Sequence, residues 1–185
     1  MRIAILAWGS LIWDQRNLPL ANAWSSGGPK LPLEFSRISN TRGGSLTLVI
    51  DALNGEPIPV YYASSSRINL DEALSDLQER EGTTRKMIGF VNLLDNTHQS
   101  RYLDIIDSIV GWARNNQFDA IIWTDLPSNF QDKAKCEFSV ENALAYLQNL
   151  SPESQTKART YIAKAPTIIN TPLRRELANK GWLQS

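Results

Sequence analysis

Apolar positions along this chain keep two rhythms. Ile3 to Trp8 is a short, almost unbroken apolar run that stops at Gly9, as a buried strand does, and Leu11-Ile12-Trp13 follows as a second apolar patch. Trp24 to Lys30, with two serines, two glycines and a proline, is loop chemistry. Leu31–Ser39 and Ser45–Asp51 read as strands joined by a hairpin turn over Asn40-Thr41-Arg42-Gly43-Gly44, and Pro57–Ala63 reads as a further strand with its prolines at the entry. From Asn69 the rhythm changes. Leu70, Ala73, Leu74 and Leu77 recur at helical spacing behind an Asn cap and run up to Gly82. Met87–Leu94 returns to strand, Tyr102–Asn115 to an amphipathic helix, and Ala120–Thr124 to strand. Beyond about residue 130 only helices are predicted: one after Ser139, and two opened by the cap-and-proline pairs Ser151-Pro152 and Thr171-Pro172, the last stopping near Gly181. Strands first and helices last predict an α+β fold, read as a single domain over 1–185 with about 130–185 packed on it as a helical tail.

Composition narrows the function more than the fold. The 185 residues carry 19 basic and 19 acidic side chains, a balance that gives no electrostatic reason to expect nucleic acid or an anionic membrane as partner. The apolar N-terminal run is too short to span a bilayer and lacks a cleavage region, so a cytoplasmic location is expected. One cysteine, Cys136, excludes an intrachain disulfide and a cysteine-built metal site, and reads as a small buried or boundary residue. The one histidine, His98, lies in a polar stretch and reads as a surface residue. Chemistry in such a chain falls to carboxylates, hydroxyls and backbone amides, and zinc sites of the common types are close to excluded.

Glu81 is the most informative carboxylate. At about 100° per residue, the step from Leu70 to Glu81 turns the side chain by about 20° net, and Glu81 follows Leu77 by four. It therefore continues the apolar stripe, and a core-directed carboxylate at a helix C-terminus is expected to hold its proton more tightly than usual, as a general acid or base needs. A solvated Glu81, or one paired with Arg80 or Arg85, is the alternative. Trp8-Gly9-Ser10-Leu11 is the second feature: a glycine straight after a buried strand lets the backbone turn and aim successive amides at an anion or carbonyl oxygen. In Leu33-Glu34-Phe35-Ser36-Arg37, strand alternation puts Glu34 and Ser36 on one face and Phe35 and Arg37 on the other, making Glu34 and Arg37 substrate-binding candidates or solvated edge charges.

These residues carry a resemblance. Ile5 to Trp13 resembles the N-terminal strand and Tyr-Gly-Ser-Leu loop of the gamma-glutamylcyclotransferase superfamily, closest to its glutathione-degrading branch. Leu77-Gln78-Glu79-Arg80-Glu81-Gly82 is similar to the segment in which a leucine precedes the superfamily's catalytic glutamate by four positions. Trp8 stands where tyrosine is usual, and the glycine-rich stretch after the glutamate is reduced to Gly82-Thr83-Thr84-Arg85. The resemblance implies a mixed β-barrel with flanking helices, and cyclisation of a small gamma-glutamyl compound to 5-oxoproline with release of an amine. Glu81 would be the catalytic acid and base, with the amides around Gly9, Ser10 and Leu11 holding the substrate carboxylate or oxyanion beside Trp8, and no metal or organic cofactor would be needed. A binding domain without turnover, or a protein-interaction module, is the alternative use of such a chain.

Overall fold

The structure, a computed structural model, describes residues 1–184. The chain forms two compact units, one from residues 1–31 and 59–126, the other from 32–58 and from 127 onward. Both are mixed, and the α+β expectation holds: among the described residues there are six α-helices and two sheets.

The first unit is built on a five-stranded sheet of β1 (Ile3–Ala7), β5 (Tyr61–Ser64), β6 (Ile88–Asn92), β7 (Thr97–Gln99) and β8 (Ala120–Thr124), in the order β5-β1-β8-β6-β7. β1 runs parallel to β8, while the other pairs are antiparallel. All five residues of β1 are buried, which is why its sequence is continuously apolar instead of alternating. Helix α1 (Leu70–Glu81) lies over β8 and β6. Its Ala73, Leu74 and Leu77 pack with Ile3, Ile5, Ala7, Ile88 and Ile122, and with Leu11 and Leu18 from the chain after β1. The ends of α1 are as read from sequence. The Asn69 side chain accepts from the amides of Asp71 and Glu72 at 2.9 and 3.2 Å, and Gly82, at φ 61°, returns its amide to the last turn. Helix α2 (Ile106–Asn115) supplies Trp112, which stacks on Phe118 and meets Tyr62 edge-on.

Gly89 shows how closely this sheet is packed. It lies opposite Trp123, whose fully buried indole covers the place a Cβ on Gly89 would occupy. Gly89→Ala is therefore expected to lower stability by about 2–3 kcal/mol, measured by urea unfolding, because the indole is enclosed and cannot move aside.

The second unit holds a three-stranded sheet in the order β3-β2-β4, from β2 (Lys30–Ser39), β3 (Ser45–Ile50) and β4 (Glu56–Pro59). The predicted hairpin between β2 and β3 is present, closed by a 3₁₀ turn over Asn40–Arg42, with Gly43 and Gly44 at φ 63° and 82°. Four helices follow: α3 (Phe130–Ala134), α4 (Val140–Gln148), α5 (Pro152–Lys164) and α6 (Pro172–Asn179). Ser139, Ser151 and Thr171 cap the last three through their side chains, the latter two with the proline that the sequence signals include. Helix α5 packs on β3, Phe35 meets Tyr161 edge-on, and the Tyr146 hydroxyl donates to the Gly44 carbonyl at 2.8 Å.

Four expectations are corrected. No closed barrel occurs among the described residues; the strands divide between two open sheets. Pro57 and Pro59 on β4 explain part of this, since a strand without those amides cannot continue a ladder on both edges. Pro57–Ala63 is not one strand but two, broken at Val60, because β4 pairs with β2 whereas β5 pairs with β1. Alternation fails in β2: the pairing slips between Glu34 and Arg37, and Glu34, Phe35 and Ser36 are all buried. Cys136 is exposed beside the left-handed Lys135 that ends α3, and not buried or at a boundary. His98 is exposed on β7. No helix among the described residues is long and apolar enough to cross a membrane.

Candidate functional site

The chain leaves β1 at Ala7 and turns at once. The Ile12 amide donates to the Gly9 carbonyl at 3.0 Å and the Asp14 amide to the Ser10 carbonyl at 2.8 Å, closing two successive turns over Gly9–Asp14. Trp8, Gly9 and Leu11 are buried and Ser10 is half-buried, with Leu11 anchored in the core under α1. Among the described residues the Gly9 and Leu11 amides have no acceptor within the protein. An amide without an acceptor in the protein is met by water or by a ligand, so these two are available donors at the turn.

Glu81 ends α1, and its neighbour decides its surroundings. Leu77 has two successors on the apolar stripe, Arg80 at three positions and Glu81 at four. The inner place goes to Arg80, whose side chain is 5% exposed against 15% for Glu81. Each nitrogen of the Arg80 guanidinium donates: Nη1 to Glu81 Oε1 at 2.8 Å, Nε to the Asp14 carbonyl at 3.1 Å, and Nη2 to the same carbonyl. Arg16 closes the arrangement by donating to the Arg80 carbonyl at 3.1 Å. The core-directed reading of Glu81 gives way to its alternative, a half-buried carboxylate ion-paired with Arg80. What the pairing achieves is positional. One planar guanidinium grips the end of α1, the Glu81 carboxylate and the end of the Gly9–Asp14 turn. The sequence reading raised Arg80 as an alternative partner but not as a site residue, and its place on the stripe beside Glu81 was the available signal.

Glu34 and Arg37 belong to the second unit and are used within it. Glu34 is fully buried; Oε1 accepts from its neighbour's Phe35 amide at 2.7 Å and Oε2 from the Leu173 amide at 3.2 Å, with the Thr171 side chain as a third partner. The carboxyl sits at the first turn of α6. Burial pushes its pKa up from 4.5 to about 7, against the lowering effect of those hydrogen bonds, and Asp51 adds a further upward push. Arg37 is half-buried and donates from Nη1 to the Pro127 carbonyl at 2.7 Å. Its oxygens are engaged inside the fold: Glu34 stays in register with Val49, ahead of the slip, and its carboxyl serves the first turn of α6.

The second unit also has a cleft of about 510 Å³ lined by Asp51, Asn54, Ser128, Asn129, Phe130 and Asp132, among others. Much of its polar lining is occupied. Asp51 accepts from Leu53 and Asn54, Asn129 exchanges two bonds with Ile38, and Ser128 donates to the Ser36 carbonyl. No group of three or more His, Cys, Asp or Glu side chains among the described residues is placed to hold a metal ion. Comparison of the chain with protein-family models, with curated protein sequences and with solved structures gives no match.

Proposed function

We propose that the protein is a gamma-glutamylcyclotransferase-type enzyme acting on a small gamma-glutamyl compound. One observation carries the reading: Arg80 ties the Glu81 carboxylate and the Gly9–Asp14 turn together, so the two segments that resemble the superfamily's working parts are held side by side. The amides of Gly9 and Leu11, without acceptors in the protein, supply donors for a substrate carboxylate or a developing oxyanion.

The chemistry follows from these parts. The substrate's α-amine attacks its own γ-carbonyl carbon; a new C–N bond closes the five-membered ring, and the original amide C–N bond breaks. Arg80 occupies Oε1 of Glu81, leaving Oε2 to take a proton from the α-ammonium and to return one to the departing amine. The products are 5-oxoproline and a free amine. Holding nucleophile and carbonyl in one molecule in the correct rotamer is most of the work, so a site made of amides and one carboxylate is sufficient. A binding domain without turnover is the second reading, favoured by the fact that the ion pair already takes up one carboxylate oxygen.

The test is 5-oxoproline release from a panel of gamma-glutamyl dipeptides, gamma-glutamylamines and glutathione. Release from at least one member is expected. Binding without release from any of them supports the second reading instead.

A further inference from the structure

We propose that the cleft of the second unit binds an aliphatic diamine in its doubly protonated form, held by the carboxylates of Asp51, Asp132 and Glu137. The site uses no residue of the cyclotransferase reading and does not depend on it. Asp51 carries the argument. It is 5% exposed, and a buried carboxylate is ordinarily matched by a cation, because neutral donors restore only part of the hydration it has lost. The partners of Asp51 are all neutral. The amides of Leu53 and Asn54 donate to Oδ1 at 3.1 and 3.0 Å, and the Asn54 carboxamide nitrogen reaches the two oxygens at 3.3 and 3.2 Å. Among the described residues no basic side chain forms an ion pair with Asp51, and the space it lines is the cleft.

The rest of the lining has the same bias. No Lys, Arg or His lines the cleft, although Lys133 and Lys135 are near in sequence. Asp132 and Glu137 are exposed, and among the described residues their carboxylates have neither an ion pair nor a hydrogen bond. Several lining donors are already engaged: Asn54 with Asp51, Asn129 with the Ile38 carbonyl, and the Ser128 hydroxyl with the Ser36 carbonyl. Free acceptors therefore prevail, and a protonated amine, which only donates, fits them. Its charge has to be spread out. No three acidic side chains among the described residues converge as one metal ion requires, so the carboxylates stand apart along the cleft. An ammonium at each end of a methylene chain meets separated carboxylates, and the chain finds apolar contact between them. Leu53, 89% exposed, and half-buried Phe138, braced edge-on against buried Phe130 at 5.3 Å, supply that contact. The volume, about 510 Å³, is that of a small-molecule site.

The 15N-labelled protein is titrated with diaminopropane, diaminobutane and diaminohexane, and separately with butylamine and with magnesium, at matched ionic strength. Saturable shifts are expected in the side-chain amides of Asn54 and Asn129 and in the backbone amides of residues 131–138. One diamine length is expected to bind best, because the carboxylates are fixed, and butylamine about tenfold more weakly, having lost one charged contact. Asp132→Asn and Glu137→Gln alter exposed side chains without partners, so each is expected to keep the unfolding midpoint while weakening diamine binding about tenfold. No saturable shift with any diamine overturns the proposal. Equal saturation by magnesium, or an affinity unchanged in both variants, overturns it as well, and none of these results bears on 5-oxoproline release.

Discussion

Arg80→Met is expected to destabilise the protein by about 3 kcal/mol and to abolish 5-oxoproline release. The Arg80 side chain is 5% exposed, and its guanidinium holds Glu81 at 2.8 Å and the Asp14 carbonyl through two nitrogens. A methionine fills similar space but leaves a carboxylate that is only 15% exposed without its counter-charge, and a carbonyl without its donors. Removing one partner of such a pair is far more damaging than replacing both, with a typical loss of about 3–5 kcal/mol when the pair is fully buried; Glu81 is partly wetted, so the lower end applies. Arg80→Met with Glu81→Leu is therefore expected to recover part of the loss in stability and none of the activity. Urea unfolding of the two variants checks the first claim. A loss below about 1 kcal/mol for Arg80→Met would show an ion pair that behaves as a solvated one.

The second large effect lies at Glu34 and is a dependence on pH. Its folded-state pKa, about 7, is above the ordinary 4.5, chiefly because the carboxyl is buried. The folded protein thus binds this proton more tightly than the unfolded chain does. The stability contributed is fully present below pH 4.5 and is lost as pH rises through 7, when the buried group ionises. The separation corresponds to about 3 kcal/mol. Groups around it modulate the size. Asp51 favours the protonated form, whereas Arg175, itself paired with Glu56, together with the Thr171 hydroxyl and the amides of Phe35 and Leu173, favours the charged one. Glu34→Gln carries no such proton and is expected to flatten the profile between pH 5 and 8. At pH 5 it is expected to be the less stable protein by about 1 kcal/mol, because an amide nitrogen then faces one of those donors. Unfolding at four pH values across that range decides it. Parallel profiles for wild type and variant would mean that Glu34 does not titrate there.

Much of this architecture is written locally and was legible for that reason. Asn69, the 70-73-74-77 stripe and Gly82 specify α1 within one stretch of chain, and Ser139, Ser151-Pro152 and Thr171-Pro172 do the same for the later helices. What escaped was set by distant partners. Nothing local at Val60 tells that β4 and β5 join different sheets. The slip in β2 adds one residue opposite β3, which a period-two pattern cannot register, and Glu34, ahead of that slip, is a buried partner of the first turn of α6, more than a hundred residues away in sequence. The choice between Arg80 and Glu81 for the inner place at the end of α1 depends on the Asp14 carbonyl, far away in sequence. The barrel came from resemblance and not from the pattern of residues. Of the candidate site, the turn and Glu81 were legible, whereas Arg80, which joins them, needed the three-dimensional arrangement.

Glu81→Gln is the direct test of the catalytic claim. Glutamine keeps the shape and an oxygen for Arg80, so the variant is expected to fold, with only a modest drop in unfolding midpoint, while losing the group that takes and returns the proton. Initial rates of 5-oxoproline release from the best gamma-glutamyl substrate are measured for both proteins under identical conditions. A folded Glu81→Gln with a rate reduced by about a thousandfold is the predicted result. A folded Glu81→Gln that releases 5-oxoproline at the wild-type rate would contradict the assignment of Glu81 as the acid and base.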